Sequence, residues 1–335
     1  MSPPICLVLA LQHLVVALQP AAPLARVERE AWLMGTRFRV VVEAEDRTSG
    51  RLLGETAITE VERIESLLSS WNPTTPLSLI NRLPPGVWSE VDPELGGLLA
   101  ESSFWARRTA GAFEARIGPL IDAWDLRGVG RIPDDRQLGL ALAETGGAGV
   151  ELADGKVRRT SGSAWIDAGA FGKGVALRAA ARSISETPPP LRRRVLMDLG
   201  GQVLALAPSH APWTIEVAHP LHRSEAVATL SIHDQSVSTS GTSERGRHIL
   251  DPRTGRPVDA WGSVTVVDTD ALTADVVSTA LYVMGPGDGL AWAMREGMAA
   301  LFLRLIDGSV VATWTPEMDP WLQRAPTPHP SNSPE

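Results

Sequence analysis

From residue 194 to residue 240 the chain reads as strand after strand, with no helix-period segment between them: RVLMDLGG, VLALA, WTIEVA, VATLSI and SVSTS. Each run is short, rich in Val, Ile, Leu, Ala or Thr, and bounded by Gly, Pro, Asp or Ser, the signature of strands joined by turns. A parallel neighbour needs a long crossover, usually a helix, and none of these connections carries one. Strict βαβ alternation is therefore excluded. Runs of strands flanked by helical segments point to an α+β domain with mixed or antiparallel sheets.

The flanking segments complete that picture. TRFRVVVEA (36–44) alternates like a strand. Leu53, Ile58, Val61, Ile64 and Leu68 recur at helical spacing and predict a helix over 50–69. PELGGLLAESSFWARRTAG (93–111) predicts a second helix, with Gly111 as its C′ residue. Short strands are expected within 140–160, a third helix from Lys173 to Ile184 ended by Pro188-Pro189-Pro190, and a fourth from Ala274 to about Met284. ALFLRLIDGSVVATW (300–314) predicts a hairpin turning at Asp307-Gly308. No repeat of 20–50 residues is present.

Both ends read differently. ICLVLALQHLVVAL (5–18) is a short apolar run followed by the small-residue stretch QPAAPLA, as in a secretory signal, though without a basic n-region. It is too short and too interrupted for a membrane-spanning helix. The expected division is a signal peptide or N-terminal anchor over 1–30, one domain over 31–321, and a Pro/Ser-rich disordered tail over 322–335. The expected location is exported: periplasmic, or at the inner membrane facing the periplasm. A net charge of −8, with no basic block beyond Arg192-Arg193-Arg194, argues against nucleic acid as a partner. The single cysteine, Cys6, excludes an intramolecular disulfide and a cysteine-based zinc site.

Three stretches carry residues suited to chemistry. Gly172-Lys173-Gly174 lacks the spacing and the following Ser or Thr of a P-loop. It reads either as a glycine turn opening a helix or as an anion site on that helix's free amides. Asp275 and Thr279, four apart, share one helix face. A carboxylate and a hydroxyl there suit Mg²⁺, though spacing alone fits more readily a first-turn acid beside a packed Thr. His248 lies between a polar Gly-containing segment and the turn DPRTG, as a general base or as a prop for that turn.

Taken together and in order, MGTRF, SSWNPTTPLSLINR, GAFEARIGPLIDAW, IDAGAFGKG, MDLGGQV, TSGTSERGRHILDPRTGRPV and SVTVVDTDALTADVVSTAL resemble the FAD:protein FMN transferases, the ApbE-like flavin transferases, from about Trp32 to Thr313. The resemblance implies a single α+β flavin transferase domain that takes FAD and Mg²⁺. It would place FMN through a phosphoester on a Thr or Ser hydroxyl of an acceptor flavoprotein and release AMP. It implies nucleotide contacts from Met34, Trp71, Ala112, Phe113, Glu114, Asp167 and Lys173, and metal contacts from the Ala170 carbonyl, Asp275 and Thr279, with Ser278 nearby. His248 would be the base. The chain departs from the family pattern at Glu114-Ala115-Arg116, where Asp-Pro-Thr is usual, at Gln202, where Asp is common, and at Ser243, where an aromatic often stands. Two alternatives remain: an FAD pyrophosphatase, in which water replaces the protein hydroxyl, and an exported flavin-binding protein without catalysis.

Overall fold

A computed structural model describes residues 23–188, 193–207, 211–241 and 249–325. Its elements, in chain order, begin with β1 (Ala25–Leu33), β2 (Thr36–Ala44), α1 (Arg47–Leu68), α2 (Pro76–Ile80), β3 (Ser89–Glu90) and α3 (Pro93–Arg108). Next come α4 (Gly118–Trp124), α5 (Asp135–Ala143), β4 (Val150–Ala153), β5 (Lys156–Arg159), α6 (Gly172–Glu186), β6 (Arg193–Leu199) and β7 (Gln202–Leu206). There follow β8 (Trp213–Ala218), β9 (Ala226–Ile232), β10 (Ser236–Gly241), β11 (Leu250–Asp251), β12 (Arg256–Pro257) and β13 (Gly262–Asp268). The chain continues through α7 (Ala271–Glu296), β14 (Ala299–Ile306), β15 (Ser309–Trp314) and β16 (Leu322–Arg324).

One sheet organises the molecule, in the order β1-β2-β6-β7-β10-β13-β14-β15, with every neighbouring pair antiparallel. The period-2 alternation of each strand divides its residues between two cores. Phe38, Val40, Val42, Val264, Val266 and Phe302 join α1, α6 and α7 in the larger core. Val41, Val267, Leu301 and Leu303 face the other way, onto Trp213, Val217, Leu230 and Ile232 of a smaller sheet ordered β16-β9-β8. The result is three layers: helices, large sheet, small sheet.

Local chemistry sets the boundaries. Asp46, Asp92 and Asp270 cap α1, α3 and α7 by accepting backbone N–H bonds, and Asp134 with Gln137 forms a capping box on α5. The β14–β15 hairpin turns at Asp307-Gly308 with φ of 49° and 78°, the type I′ geometry that the Asp-Gly pair predicts. The fourth expected helix breaks at Gly285 (φ 82°, ψ 172°), next to the expected end at Met284, and then resumes to Glu296.

Three expectations need correction. Residues 25–30, assigned to the leader, form β1, paired along its length with β2, so they belong to the folded domain. Residues 322–324, assigned to the disordered tail, pair with β9. The C′ position of α3 is held by Ala110 at φ 50°; Gly111 is the next residue, its N–H bonding the Ala106 carbonyl at 2.8 Å. The remainder of the expected leader (1–22) and of the tail (326–335) lie outside the described residues. Among the described residues no helix is long and apolar enough to cross a membrane.

Candidate active site

A cleft of about 1030 Å³ opens where the β1–β2 and β6–β7 turns, the C-terminus of α1, the N-terminus of α6 and the face of β8 converge. Met34, Trp71, Ala112, Phe113, Glu114, Asp167, Ala170, Lys173, Asp275 and Thr279 all line it. Segments far apart in sequence thus meet in one place.

Its polar end is built where α6 and α7 cross. A Cβ on Gly174 would come within 2.5 Å of the Ala271 carbonyl oxygen and 2.7 Å of Leu272 Cα, so only glycine admits this approach. The closeness lets the Gly174 N–H reach Asp275 Oδ2 at 2.9 Å, while Lys173 Nζ donates to Asp275 Oδ1 at 3.1 Å. The anion seated on the α6 N-terminus is thus the protein's own buried carboxylate. Gly172-Lys173-Gly174 is a close-packing turn that delivers an ammonium and an amide to Asp275.

A group of hydroxyls gathers on the backbone of the same helix turn, at the Asp275 carbonyl. Thr279 Oγ1 donates to the Asp275 carbonyl at 3.1 Å, which uses its one proton and leaves its lone pairs available. Ser240 Oγ lies 3.5 Å from Thr279 Oγ1 and 3.0 Å from Ser278 Oγ. Ser278 itself is fully buried, within hydrogen-bond distance of Ser238 Oγ and the Asp275 carbonyl, and does not line the cleft. Ser240 lines the cleft beside Thr279, whereas Ser278, which the resemblance placed near the metal contacts, does not. Among the described residues no three His, Cys, Asp or Glu side chains gather as a metal cluster. One carboxylate, hydroxyl oxygens and the Ala170 segment suit instead a hard cation that retains several waters, as Mg²⁺ does.

The walls follow from hydrogen bonding. Ser69 Oγ accepts from the N–H groups of Trp71 and Asn72, and the Ser69 carbonyl accepts from the hydroxyls of Thr75 and Ser78, which ties SSWNPTTPLS into one loop. Asn81 pairs with both the N–H and C=O of Ile166 at 2.8 Å and so fixes the neighbouring Asp167. Asp167 takes the Gly169 N–H at 2.9 Å and the Arg127 guanidinium at 2.5 Å. Phe113 is 1% exposed and belongs to the main core, so it offers the cleft a wall and no free ring. Glu114 is paired with Arg116 through two 2.8 Å bonds, Nε to Oε1 and Nη2 to Oε2. The Glu and Arg departures are therefore one coupled change: the cation neutralises the carboxylate beside it. Gln202 has a similar logic, because its amide donates to the Ala271 carbonyl at 2.7 Å, which a carboxylate could not do.

Met34 is strained. It takes φ 52° in a two-residue turn with Gly35, whereas the comparable turns at 154–155, 200–201 and 307–308 use Asp-Gly or Gly-Gly. The left-handed region costs an ordinary residue about 1 kcal/mol, and such strain gathers at ligand sites. Met34→Asn should raise unfolding stability by about 0.5–1 kcal/mol, read by urea denaturation, and weaken ligand binding by removing the apolar side chain. A variant that is less stable would show that the turn is not strained.

Three cleft residues escaped sequence reasoning: Arg127, His219 and Ser240 in its cleft-facing role. His219 Nδ1 accepts from the N–H groups of Leu221 and His222 at 3.0 and 3.2 Å, which leaves Nε2 as its donor. His–Pro in a loop gives no local signal of this. His248, the expected base, lies outside the described residues, as does Ser243.

Comparison with known proteins adds the decisive observation: the family model described as "ApbE family" matches residues 34–302. The chain belongs to the ApbE family. Among its relatives is the FAD:protein FMN transferase of Salmonella typhimurium, 28% identical over 316 residues, spanning 88% of each chain. The Escherichia coli FAD:protein FMN transferase is 27% identical over 310 residues, covering 85% of this chain and 86% of its own length. The ApbE protein of Thermotoga maritima superposes with a TM-score of 0.79 at 28% identity, over 90% of this chain and all of that one. The apo flavinyl transferase ApbE of Pseudomonas stutzeri, at 24% identity and a TM-score of 0.79 over 90% and 98% of the two chains, shares the fold.

Proposed function

We propose that the protein is a Mg²⁺-dependent FAD:protein FMN transferase. The observation that carries this reading is the oxygen-rich pole at the α6–α7 crossing, where Asp275, Thr279, Ser240 and Lys173 close one end of a cleft with room for a dinucleotide. Family membership supplies the chemistry to which that pole is matched.

FAD lies in the cleft with its pyrophosphate at this pole. Phosphoryl transfer asks the protein mainly for positioning and for neutralisation of phosphate charge. Asp275, Thr279 and the Ala170 carbonyl would hold Mg²⁺, which when bound would supply a Lewis acid. Lys173, whose Nζ donates to Asp275 Oδ1 at 3.1 Å, is the ammonium that would meet a phosphate at this pole. The acceptor Thr or Ser hydroxyl attacks the FMN phosphorus, the bond from that phosphorus to the bridging oxygen breaks, and AMP leaves with that oxygen. His248 takes the hydroxyl proton. Met34 and Trp71 supply apolar surface to the rings.

Chelation is the simplest check on this reading. Turnover should vanish in EDTA and return with Mg²⁺ while the fold persists; undiminished turnover in EDTA would reject the metal. We also place the enzyme outside the cytoplasm, on the leader-like run at 5–18. A reporter fused to residues 1–24 should be exported, and one retained in the cytoplasm would refute this.

A further inference from the structure

Arg127 stands at the centre of a ladder that no local sequence pattern announces. Its guanidinium lies 4.4 Å from the Trp71 ring centroid and 4.2 Å from that of Trp165, so one planar cation engages two indoles. In the plane of the fork, its Nη2 donates to Ser70 Oγ at 2.6 Å and to Asp167 Oδ1 at 2.5 Å, while Nη1 donates to the Ser70 carbonyl at 3.2 Å. Stacking and fork use different parts of the same group, which is what distinguishes arginine from lysine.

The ladder is anchored at one end and free at the other. Trp165 is fixed, because its Nε1 donates to Asp122 Oδ2 at 2.8 Å and its carbonyl accepts from the Gly118 N–H at 3.1 Å. The segment carrying Arg127 is closed on itself: Asp125 takes a left-handed φ of 50°, and its carbonyl accepts from the N–H groups of Gly128 and Gly130. Trp71, by contrast, is 70% exposed although Arg127 stacks against it. An exposed indole backed by a cation, at the rim of a cleft, offers a π surface to a ligand ring.

We propose that Arg127 is a positioning residue for the nucleotide, holding Trp71 as a stacking platform and Asp167 as a hydrogen-bond acceptor in one rigid unit. This rests on the reading of FAD as substrate. Arg127 acts on FAD binding and leaves the chemical step to the α6–α7 pole.

The test is Arg127→Lys, which keeps the charge and loses the fork, beside Arg127→Ala and Trp71→Ala. FAD binding by flavin-fluorescence titration should weaken about tenfold in Arg127→Lys. KM for FAD should rise by a similar factor, with kcat within about threefold of wild type. Arg127→Ala in the Trp71→Ala background should cost less than the product of the single effects, since both disable one platform. The near-UV tryptophan signal of the ligand-free protein should change in Arg127→Lys even though urea unfolding does not. Binding within twofold of wild type in Arg127→Lys, or strictly multiplicative losses in the double variant, would overturn the proposal. Wild-type protein that fails to bind FAD at all would overturn the substrate reading instead, and is recognised in the same titration.

Discussion

Asp275→Asn should lose Mg²⁺-dependent flavin transfer by about 10²–10³-fold, the scale on which a single element of preorganised charge stabilisation acts. The substitution is chosen for its shape. Asn retains an oxygen that can accept the Gly174 N–H now bonded to Asp275 Oδ2 at 2.9 Å, so the helix crossing survives. What it removes is the negative charge toward the cation and toward Lys173. Lys173 is 29% exposed along its side chain, so the released ammonium can turn to solvent and the stability cost stays small. Asp275→Ala additionally orphans a buried N–H and should cost about 1–3 kcal/mol of stability. Thr279→Val should be milder, about tenfold in apparent Mg²⁺ affinity. Full Mg²⁺-dependent turnover in Asp275→Asn would show that the ion is held elsewhere.

His248→Ala should reduce flavinylation of the acceptor by about 10²–10⁴-fold while FAD affinity changes little. The competing role, a prop for the DPRTG turn, is disfavoured by the turn's own bonding. The Asp251 carbonyl accepts from Gly255 N–H at 2.7 Å, and Asp251 Oδ1 accepts from both the N–H and the Nε of Arg253 at 2.9 Å. Trp124 Nε1 closes the far side by donating to the Gly255 carbonyl at 2.7 Å. A turn so connected does not need an imidazole to hold it. Wild-type turnover should also fall as acid protonates the ring, because an imidazolium cannot accept the hydroxyl proton. If the Ala variant loses FAD affinity and stability together, and saturating FAD restores its rate, His248 is a prop and not a base.

What could be read in advance follows from how local each signal is. The alternation of TRFRVVVEA and the Asp-Gly turn of the last hairpin are decided by neighbouring residues, and the structure repeats both. Helical periodicity puts Asp275 and Thr279 on one face, and that face meets the cleft, but spacing alone left an ion site and a first-turn acid beside a packed Thr both open, and only the family resemblance singled out the first. β1 was not legible, because as an edge strand its ARVEREAWL carries charges stabilised across the strand gap, Arg26 with Glu43 and Arg39 with Glu28. An ion-pair pattern, not an apolar one, builds this strand. The helices α2 and α4 are too short to display a period. Ser278 shares the sequence neighbourhood of Asp275 and Thr279, yet its side chain is turned into the serine cluster behind it. Arg127 is the clearest limit: its partners Ser70, Trp71, Trp165 and Asp167 come from two distant segments that only the fold brings together.

The most direct test of the account is a single mass-spectrometric assay of purified protein with FAD, Mg²⁺ and a peptide bearing an acceptor threonine. The predicted result is a peptide heavier by one FMN less one water, with one AMP released for each peptide modified. Free FMN and AMP beside an unmodified peptide would make the enzyme a pyrophosphatase, and intact FAD would make it a binding protein; either result contradicts the transferase.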